Sequence, residues 1–194
     1  MVICCIGDSL TEGDYGIKGV RGVANVHAEN YPYFLQRMTG AEVRNFGRCG
    51  WRASHIYNWY REGGFSVAGA DKIVICLGTN GGHSMAEETE DNQAYLLLID
   101  RLRAEAPGAE IYVCTPPHVT EDPSYINCGY APQVRAARTF VKRLAAEKGV
   151  RLIDLGTDPH FTAETEAEMQ PNDGLHFTEK GYQTLAGVIA EAIL

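Results

Sequence analysis

The sequence predicts an α/β domain in which five parallel strands form a central sheet with helices on both faces. Segments typical of strands and of helices alternate along the 194 residues. The run Lys72–Leu77 is apolar almost throughout, which is typical of a parallel strand that is buried on both faces. The length suits one domain of ordinary size, and neither an internal repeat nor a linker divides the chain. We therefore expect residues 1–194 to form a single three-layer α/β/α sandwich.

Strands are predicted from runs of β-branched and other apolar residues that are bounded by glycine, proline or polar residues. Their lengths match those of strands in ordinary sheets, and helix-like segments separate them. The strands are expected at about Val2 to Ile6, Glu42 to Phe46, Lys72 to Leu77, Glu110 to Thr115 and Val150 to Leu155.

Helices are predicted between the strands, because apolar residues recur there at the three- and four-residue spacing of one helix face. The clearest helix runs from about Thr89 to Ala106 and is ended by Pro107 and Gly108. Thr178 is a suitable N-cap for the last helix. Further helices are expected over Tyr31 to Met38, Ala53 to Tyr60 and from about Val134 to Gly149.

The charge of the chain narrows its expected partners. Its formal net charge is −8, and it contains no long basic run. This acidity argues against binding to nucleic acid or to an anionic membrane surface. No apolar run reaches the length of a membrane span, so no integral membrane segment is expected.

The six cysteines are typical of a protein in a reducing compartment. Cys4, Cys5, Cys76 and Cys114 fall within predicted buried strands, where a free thiol behaves as a small apolar residue. No pair has the C-x-x-C spacing of a zinc cluster or redox dithiol, so we expect neither a metal nor another cofactor. Because no signal-peptide pattern is visible, the expected location is cytoplasmic.

A serine stands where the first predicted strand ends, within the sequence Gly7-Asp8-Ser9-Leu10. Open α/β sheets bind their ligands at the carboxyl ends of their strands, so Ser9 is placed to meet a substrate. Many sequences of this kind merely form a turn that caps a helix. The tetrapeptide therefore indicates a nucleophile only when partners for it are found elsewhere in the chain.

Suitable partners occur near the other end, in Asp173-Gly174-Leu175-His176. An acid three residues before a histidine can share a loop with it and orient its imidazole ring. Together with Ser9, these residues supply a nucleophile, a base and an orienting acid. Asp154, at the end of the fifth predicted strand, is an alternative acid. A turn residue and a surface histidine are the simpler interpretations of Asp173 and His176.

Two further segments follow predicted strands, namely Asn45–Gly50 and Gly78-Thr79-Asn80. Taken with the serine and histidine segments, they resemble the four sequence blocks of the SGNH hydrolases, the family of GDSL-type esterases and lipases. The resemblance extends from Gly7 to His176. It implies a flavodoxin-like strand order 2-1-3-4-5 and hydrolysis of a small-molecule ester through an acyl-enzyme on Ser9.

The resemblance also implies an oxyanion hole formed by the backbone N–H groups of Ser9 and Gly50 and by the side-chain amide of Asn80. This agrees with the residue types, because a glycine lets the backbone approach a ligand closely. Gly47 is the nearby alternative to Gly50. Gly81 departs from the family pattern, which often has an aspartate after the asparagine, so the local loop is expected to differ.

Four side chains near the strand ends are candidates for substrate contact, although a surface or packing role is at least as expected for each. These are Trp51, His83, His118 and Tyr125. Tyr125 belongs to the connection Pro116–Ala131, which is long for an α/β fold, and long connections at this edge are often lids.

The loops expected around the site predict the kind of ester. Asp14–Asn30, Gly81–Glu88 and Pro116–Ala131 are polar and glycine-rich, with isolated apolar residues only. A long acyl chain needs an apolar tunnel, in which each buried CH₂ contributes about 0.8 kcal/mol. We therefore expect short acyl groups, such as acetyl, on a polar or carbohydrate alcohol.

Two other interpretations stay open from the sequence alone. A lysophospholipase or acyl-thioesterase of the same family would use the same catalytic residues on a different substrate. A non-catalytic flavodoxin-like module would instead hold a phosphate or a flavin at the Ser9 turn. That second interpretation leaves Asp173 and His176 without a role.

Overall fold

The computed structural model describes residues 1–194 and contains one parallel five-stranded sheet of order β2-β1-β3-β4-β5. This confirms the predicted fold class and strand order. The strands are β1 (Val2–Gly7), β2 (Glu42–Gly47), β3 (Lys72–Cys76), β4 (Glu110–Cys114) and β5 (Arg151–Ile153). Because all strands run the same way, their carboxyl ends meet at one edge of the sheet.

Seven α-helices accompany the sheet, and five of them match predicted helices to within a few residues. Those five are α2 (Tyr31–Thr39), α3 (Ala53–Arg61), α4 (Glu90–Glu105), α5 (Ala131–Lys148) and α7 (Glu179–Ile193). The other two, α1 (Ser9–Glu12) and α6 (Glu166–Met169), each have 4 residues and were not predicted. Single turns of this length carry too few residues to show helical periodicity.

The helices divide into two layers because successive residues of a strand face opposite sides of the sheet. Ile3 and Cys5 of β1 join a core cluster with residues of α2 and α7. Cys4 and Ile6 join a second cluster with residues of α3, α4 and α5. These two apolar clusters hold the sheet rigidly between the helix layers and so fix the positions of the strand ends.

The fifth strand is shorter than predicted. It leaves the sheet after Ile153, since the Asp154 side chain accepts a hydrogen bond from Thr115 Oγ1 at 2.7 Å and pairs with Lys142 at 2.7 Å. Leu155–Thr157 then forms a 3₁₀ turn. The residues after Ile153 that were predicted as strand therefore do not pair with β4. Asp154 instead anchors this segment through its polar contacts.

All six thiols are free, and three of the four expected in buried strands are buried: Cys4, Cys5 and Cys114. The expectation for Cys76 was wrong, because this residue ends β3 and is only partly covered. No helix of this structure is both long enough and apolar enough to cross a bilayer.

A close approach of backbones places α1 on the sheet. Gly47, which ends β2, is paired in register with Gly7, which ends β1. A Cβ at Gly47 would overlap the backbone of Glu12 and lie 2.6 Å from the carbonyl carbon of Thr11. Only the absence of a side chain at Gly47 lets α1 lie against the end of β2.

Gly47→Ala should therefore lower the free energy of unfolding by about 1–3 kcal/mol, the usual cost of overpacking. Gly108→Ala is the matched control, because a Cβ at Gly108 meets no atom within 4 Å. Denaturant titration of both variants measures the change. Equal midpoints for Gly47→Ala and the original chain would show that α1 can move away from β2 at no cost.

Candidate active site

The turn after β1 presents Ser9 at the edge of the sheet. Asp8 accepts a hydrogen bond from Leu10 N at 3.1 Å and so caps the single turn α1, whose first residue is Ser9. Gly13 ends the turn with a φ of 105°, a conformation that favours glycine. The serine is thus held by a cap on one side and by a glycine turn on the other.

His176 connects Ser9 to Asp173. Its Nε2 lies 2.9 Å from Ser9 Oγ, and its Nδ1 lies 2.7 Å from Asp173 Oδ2. Ser9 and Asp173 are buried, while His176 is partly buried. The structure therefore brings the predicted serine, histidine and aspartate together in one hydrogen-bonded row, with the histidine in the middle.

The loop that carries Asp173 and His176 is fixed by its own backbone. Asp173 Oδ1 accepts hydrogen bonds from Leu175 N at 3.0 Å and His176 N at 2.9 Å. Gln170 Nε2 donates to Leu175 O at 2.8 Å and also to His118 O at 2.8 Å, which ties the loop to the connection after β4. These bonds orient the carboxylate before any substrate is present.

The alternative acid, Asp154, lies elsewhere. Its carboxylate binds Thr115, Lys142 and Thr157 at the end of β5. Asp173 is the acid that contacts His176 Nδ1.

The environment favours the charged form of both members of the His176–Asp173 pair. Burial works against a charged imidazole, but the hydrogen bond and the negative charge of Asp173 outweigh it and raise the pKa of His176. Asp14 and Asp8 add to this effect. Burial likewise opposes ionisation of Asp173, but hydrogen bonds from His176 and from the backbone lower its pKa.

Asp8 differs from the other acids of the site. Burial raises its pKa to about 6, and its Oδ2 is buried without a hydrogen-bond partner. Its Oδ1 caps α1 through Leu10 N. This geometry supports a bracing role for Asp8 in the turn.

Two groups of the expected oxyanion hole share a cavity with Ser9. Gly50 has a φ of 74°, and its backbone N–H donates to no other group of the chain. The Asn80 Nδ2 donates one hydrogen to Trp51 O at 2.9 Å, which fixes the amide and leaves its second hydrogen free. Ser9, Gly50 and Asn80 all line the same cavity. Gly47, the alternative to Gly50, does not line it and instead packs against α1.

The cavity has a volume of about 290 Å³ and a wall of mixed polarity. Val20, Val23, Ala24 and Leu175 supply apolar surface. The polar lining includes Ser9, Asp14, Arg21, Asn80, Asn127, Asp173 and His176. A cavity of this size is at the low end of the range for small-ligand sites.

Two long loops form the outer wall, as expected for segments after the first and fourth strands. Arg21 Nη2 donates to Ile126 O at 2.5 Å, and its guanidinium lies 5.8 Å from the centre of the Tyr130 ring. Arg21 thus joins the loop Asp14–Asn30 to the loop Pro116–Ala131 above the cavity.

None of the four residues expected to contact substrate lines this cavity. Trp51 faces a shallow surface cleft with His55 and Trp59. Tyr125 borders a neighbouring cavity of about 660 Å³ that lies between the two outer loops. Neither aromatic ring is placed against Ser9.

The two histidines are held in the protein interior. His83 Nδ1 bonds to Asn92 Oδ1 at 3.0 Å, and its ring stacks on Phe140 with centroids 4.6 Å apart. His118 Nε2 pairs with Glu166 Oε2 at 2.8 Å. The expectation of substrate contact has no support at either histidine, because both side chains already have internal partners.

Asp14 is the acidic residue of this cavity that the sequence did not single out. It follows Gly13 directly, is buried, and places Oδ2 3.6 Å from His176 Nε2. Its proximity to Ser9 along the chain was the one available signal, and that signal is weak because most acids in such loops are solvated.

A scan against protein-family models matches residues 5–184 to the GDSL-like lipase/acylhydrolase family. The match includes all four sequence blocks and all five strands except the first residues of β1. The chain belongs to the GDSL-like lipase/acylhydrolase family. It is accordingly a carboxylic ester hydrolase, and the alternative of a non-catalytic binding module is excluded.

Solved structures of several esterases and lipases share the fold along nearly the whole chain. The aryl esterase of M. smegmatis has a TM-score of 0.77 and 19% identity, over 98% of this chain and 96% of its own. A carbohydrate acetylesterase from Sinorhizobium meliloti has a TM-score of 0.71 and 18% identity, over 98% of this chain and 96% of its own. The lipase/acylhydrolase of Enterococcus faecalis has a TM-score of 0.70 and 19% identity, over 99% of this chain and 94% of its own. At these identities the likeness shows the fold alone. A search of the curated proteins finds no match.

The charge of Asp173 should be visible in the titration of His176 in this GDSL-like hydrolase. NMR of the imidazole should give a pKa above the ordinary value of about 6.5. Asp173→Asn should lower that pKa, since the neutral amide no longer favours the imidazolium.

Asp154→Asn serves as the control, because Asp154 bonds elsewhere and should leave the titration unchanged. The same downward shift of the His176 pKa in both variants would mean that this pKa depends on the overall charge of the protein and not on the contact with Asp173.

Proposed function

We propose that this family member is a serine esterase in which Ser9 is the nucleophile, His176 the general base and Asp173 the orienting acid. The observation that carries the proposal is the hydrogen-bonded row from Ser9 Oγ through His176 to Asp173, with distances of 2.9 and 2.7 Å. A hydroxyl needs a base within hydrogen-bonding reach to become nucleophilic at neutral pH. The 2.9 Å distance between Ser9 Oγ and His176 Nε2 supports such a transfer.

The reaction then proceeds in two steps. In the first, Ser9 Oγ bonds to the acyl carbon as its proton moves to His176 Nε2, and the ester C–O bond breaks as that proton passes to the leaving alcohol. In the second, water loses a proton to Nε2 and attacks the acyl carbon. The bond to Ser9 breaks, Oγ regains a proton from Nε2, and a carboxylic acid is released.

Both steps pass through a tetrahedral intermediate whose oxygen carries negative charge. We assign its stabilisation to the backbone N–H groups of Ser9 and Gly50 and to the free amide hydrogen of Asn80. The hydrogen bond from Asn80 to Trp51 O supports this assignment, because it fixes the amide before the charge develops. A preorganised donor of this kind contributes more to the transition state than to substrate binding.

Replacement of the nucleophile tests the mechanism. Ser9→Ala should reduce hydrolysis of p-nitrophenyl acetate to the background level while the protein stays folded, because no other residue replaces the attacking oxygen. A fluorophosphonate should label the original chain at Ser9, as read by peptide mass spectrometry.

Ser66→Ala is the matched control, because Ser66 is exposed and hydrogen-bonds to Glu105 away from the cavity. Labelling at a different serine, or an active Ser9→Ala, would remove Ser9 from the mechanism.

The cavity supports a short acyl group as the substrate's acid portion. Its volume of about 290 Å³ must hold the reacting carbonyl as well as the acyl chain. Val20, Val23 and Ala24 form a small apolar wall on a loop that also carries polar residues. Arg21, Asn80 and Asn127 line the same cavity, so a fatty acyl chain would find little continuous apolar contact there.

The surroundings support a polar alcohol as the leaving group. The neighbouring cavity between the two outer loops has mainly polar lining, including Lys18, Asp122, Ser124, Tyr125 and Asn172. Hydroxyl groups of a carbohydrate would find donors and acceptors there, with one aromatic ring beside them. Two proteins of the same fold are carbohydrate acetylesterases from Sinorhizobium meliloti, which is consistent with this substrate class.

An acyl-length series checks the acid portion. With p-nitrophenyl acetate, butyrate and octanoate, kcat/KM should be highest for acetate and should fall towards octanoate, because a wall of mixed polarity offers a longer chain little continuous apolar surface. A steady rise towards octanoate would instead favour the lysophospholipase or acyl-thioesterase interpretation.

A further inference from the structure

Asp14 places a second carboxylate beside the imidazole of His176. Its Oδ2 lies 3.6 Å from Nε2, the nitrogen that faces Ser9, while Asp173 occupies the opposite nitrogen. The Asp14 side chain is 6% exposed and lines the cavity. The mechanism described above, on which this inference rests, gives this buried acid no role.

The carboxylate of Asp14 is held rigidly through its other oxygen. Oδ1 accepts hydrogen bonds from Gly16 N and Asn25 N, both at 2.9 Å. Its backbone is fixed as well, because Tyr182 Oη donates to Asp14 O at 2.6 Å. These bonds leave Oδ2 directed at the cavity, where its one donor is the weak Cys49 thiol at 3.8 Å.

The charges around His176 are mostly negative. Asp173 belongs to its own loop, Asp14 to the loop after α1, and Asp8 to the end of β1. Cys49 lines the same cavity from the loop after β2, and Arg21 lines it from the same loop as Asp14. The Arg21 guanidinium bonds to Ile126 O and stands over Tyr130, so it belongs to the outer wall. No cation is held against Asp14 to neutralise it.

We propose that Asp14 is an electrostatic partner of His176 that stabilises the imidazolium from the Nε2 side during both steps of hydrolysis. Nε2 gains a proton each time Ser9 or water attacks the acyl carbon, and the positive charge then lies between two carboxylates. No bond to Asp14 forms or breaks, and its proton count does not change. Its effect is to favour the charged imidazole over the neutral one.

This role has a particular kinetic signature. Where His176 is already protonated in the free enzyme, Asp14 stabilises the starting state and the transition state equally. Removing Asp14 then leaves the activation free energy, and therefore the rate, unchanged. Where His176 starts neutral, only the transition state contains the imidazolium, so loss of Asp14 slows the reaction. A carboxylate that served packing alone would affect kcat/KM equally at every pH.

The test is the pH profile of kcat/KM for p-nitrophenyl acetate in Asp14→Asn. The amide oxygen of asparagine can accept the same two backbone hydrogen bonds, so the loop is retained. The apparent pKa of the profile should fall by about one unit, as expected for removal of a nearby opposite charge. The high-pH plateau should fall roughly tenfold, which corresponds to one pKa unit. Rates well below the pKa should match those of the original chain.

Asp100→Asn is the control for overall charge, because Asp100 pairs with Lys148 on the surface and should leave the profile unchanged. An unchanged profile in Asp14→Asn, or an equal loss at every pH, would overturn the inference. An original chain with no esterase activity would instead overturn the proposed function.

A second measurement needs no variant. In the original chain, the carbon-13 NMR signal of the Asp14 carboxyl should shift over the pH range in which His176 titrates, because the two groups face each other. A flat signal across that range would also overturn the inference.

Discussion

The site depends on the contact between the turn after β1 and the end of β2. Gly47 allows the backbones of Thr11 and Glu12 to pack against the strand. Asn45 Nδ2 then donates to Thr11 O at 2.8 Å, and Cys49 N donates to Glu12 Oε2 at 2.5 Å. These bonds lock the loop that carries Gly50 to the turn that carries Ser9. Two parts of the chain that are distant in sequence thereby behave as one rigid unit.

Much of this arrangement could be predicted because a parallel sheet converts order along the chain into position at one edge. Once the strands were recognised, Ser9 and Asn80 were expected on that edge, since each lies in the turn that follows a strand. Asp173 and His176 are three residues apart, so a single loop could hold them together. The layered fold and the grouping of these residues therefore followed from local patterns and from the fixed direction of the strands, whereas the strand order came from the family resemblance.

The contents of the outer wall could not be predicted in the same way. Residues of long loops are placed by side-chain bonds, such as that of Arg21 to Ile126 O, and no periodic pattern encodes such bonds. His83 and His118 were expected at the site because they follow strands, but Asn92 and Glu166 hold them elsewhere. Sequence position indicates which edge a loop reaches, whereas the internal partners of a side chain decide which way it points.

The fixed carboxylate of Asp14 also bears on what leaves the cavity. Ester hydrolysis releases a carboxylic acid, which ionises at neutral pH because its pKa is near that of an aspartate side chain. A small anion formed beside Ser9 then shares a confined space with the carboxylates of Asp14 and Asp173. Like charges repel more strongly there than in bulk water, because the protein screens them less. The electrostatics of the site therefore favour a neutral ester over the anion derived from it, so the charge that hydrolysis creates favours release of the acid.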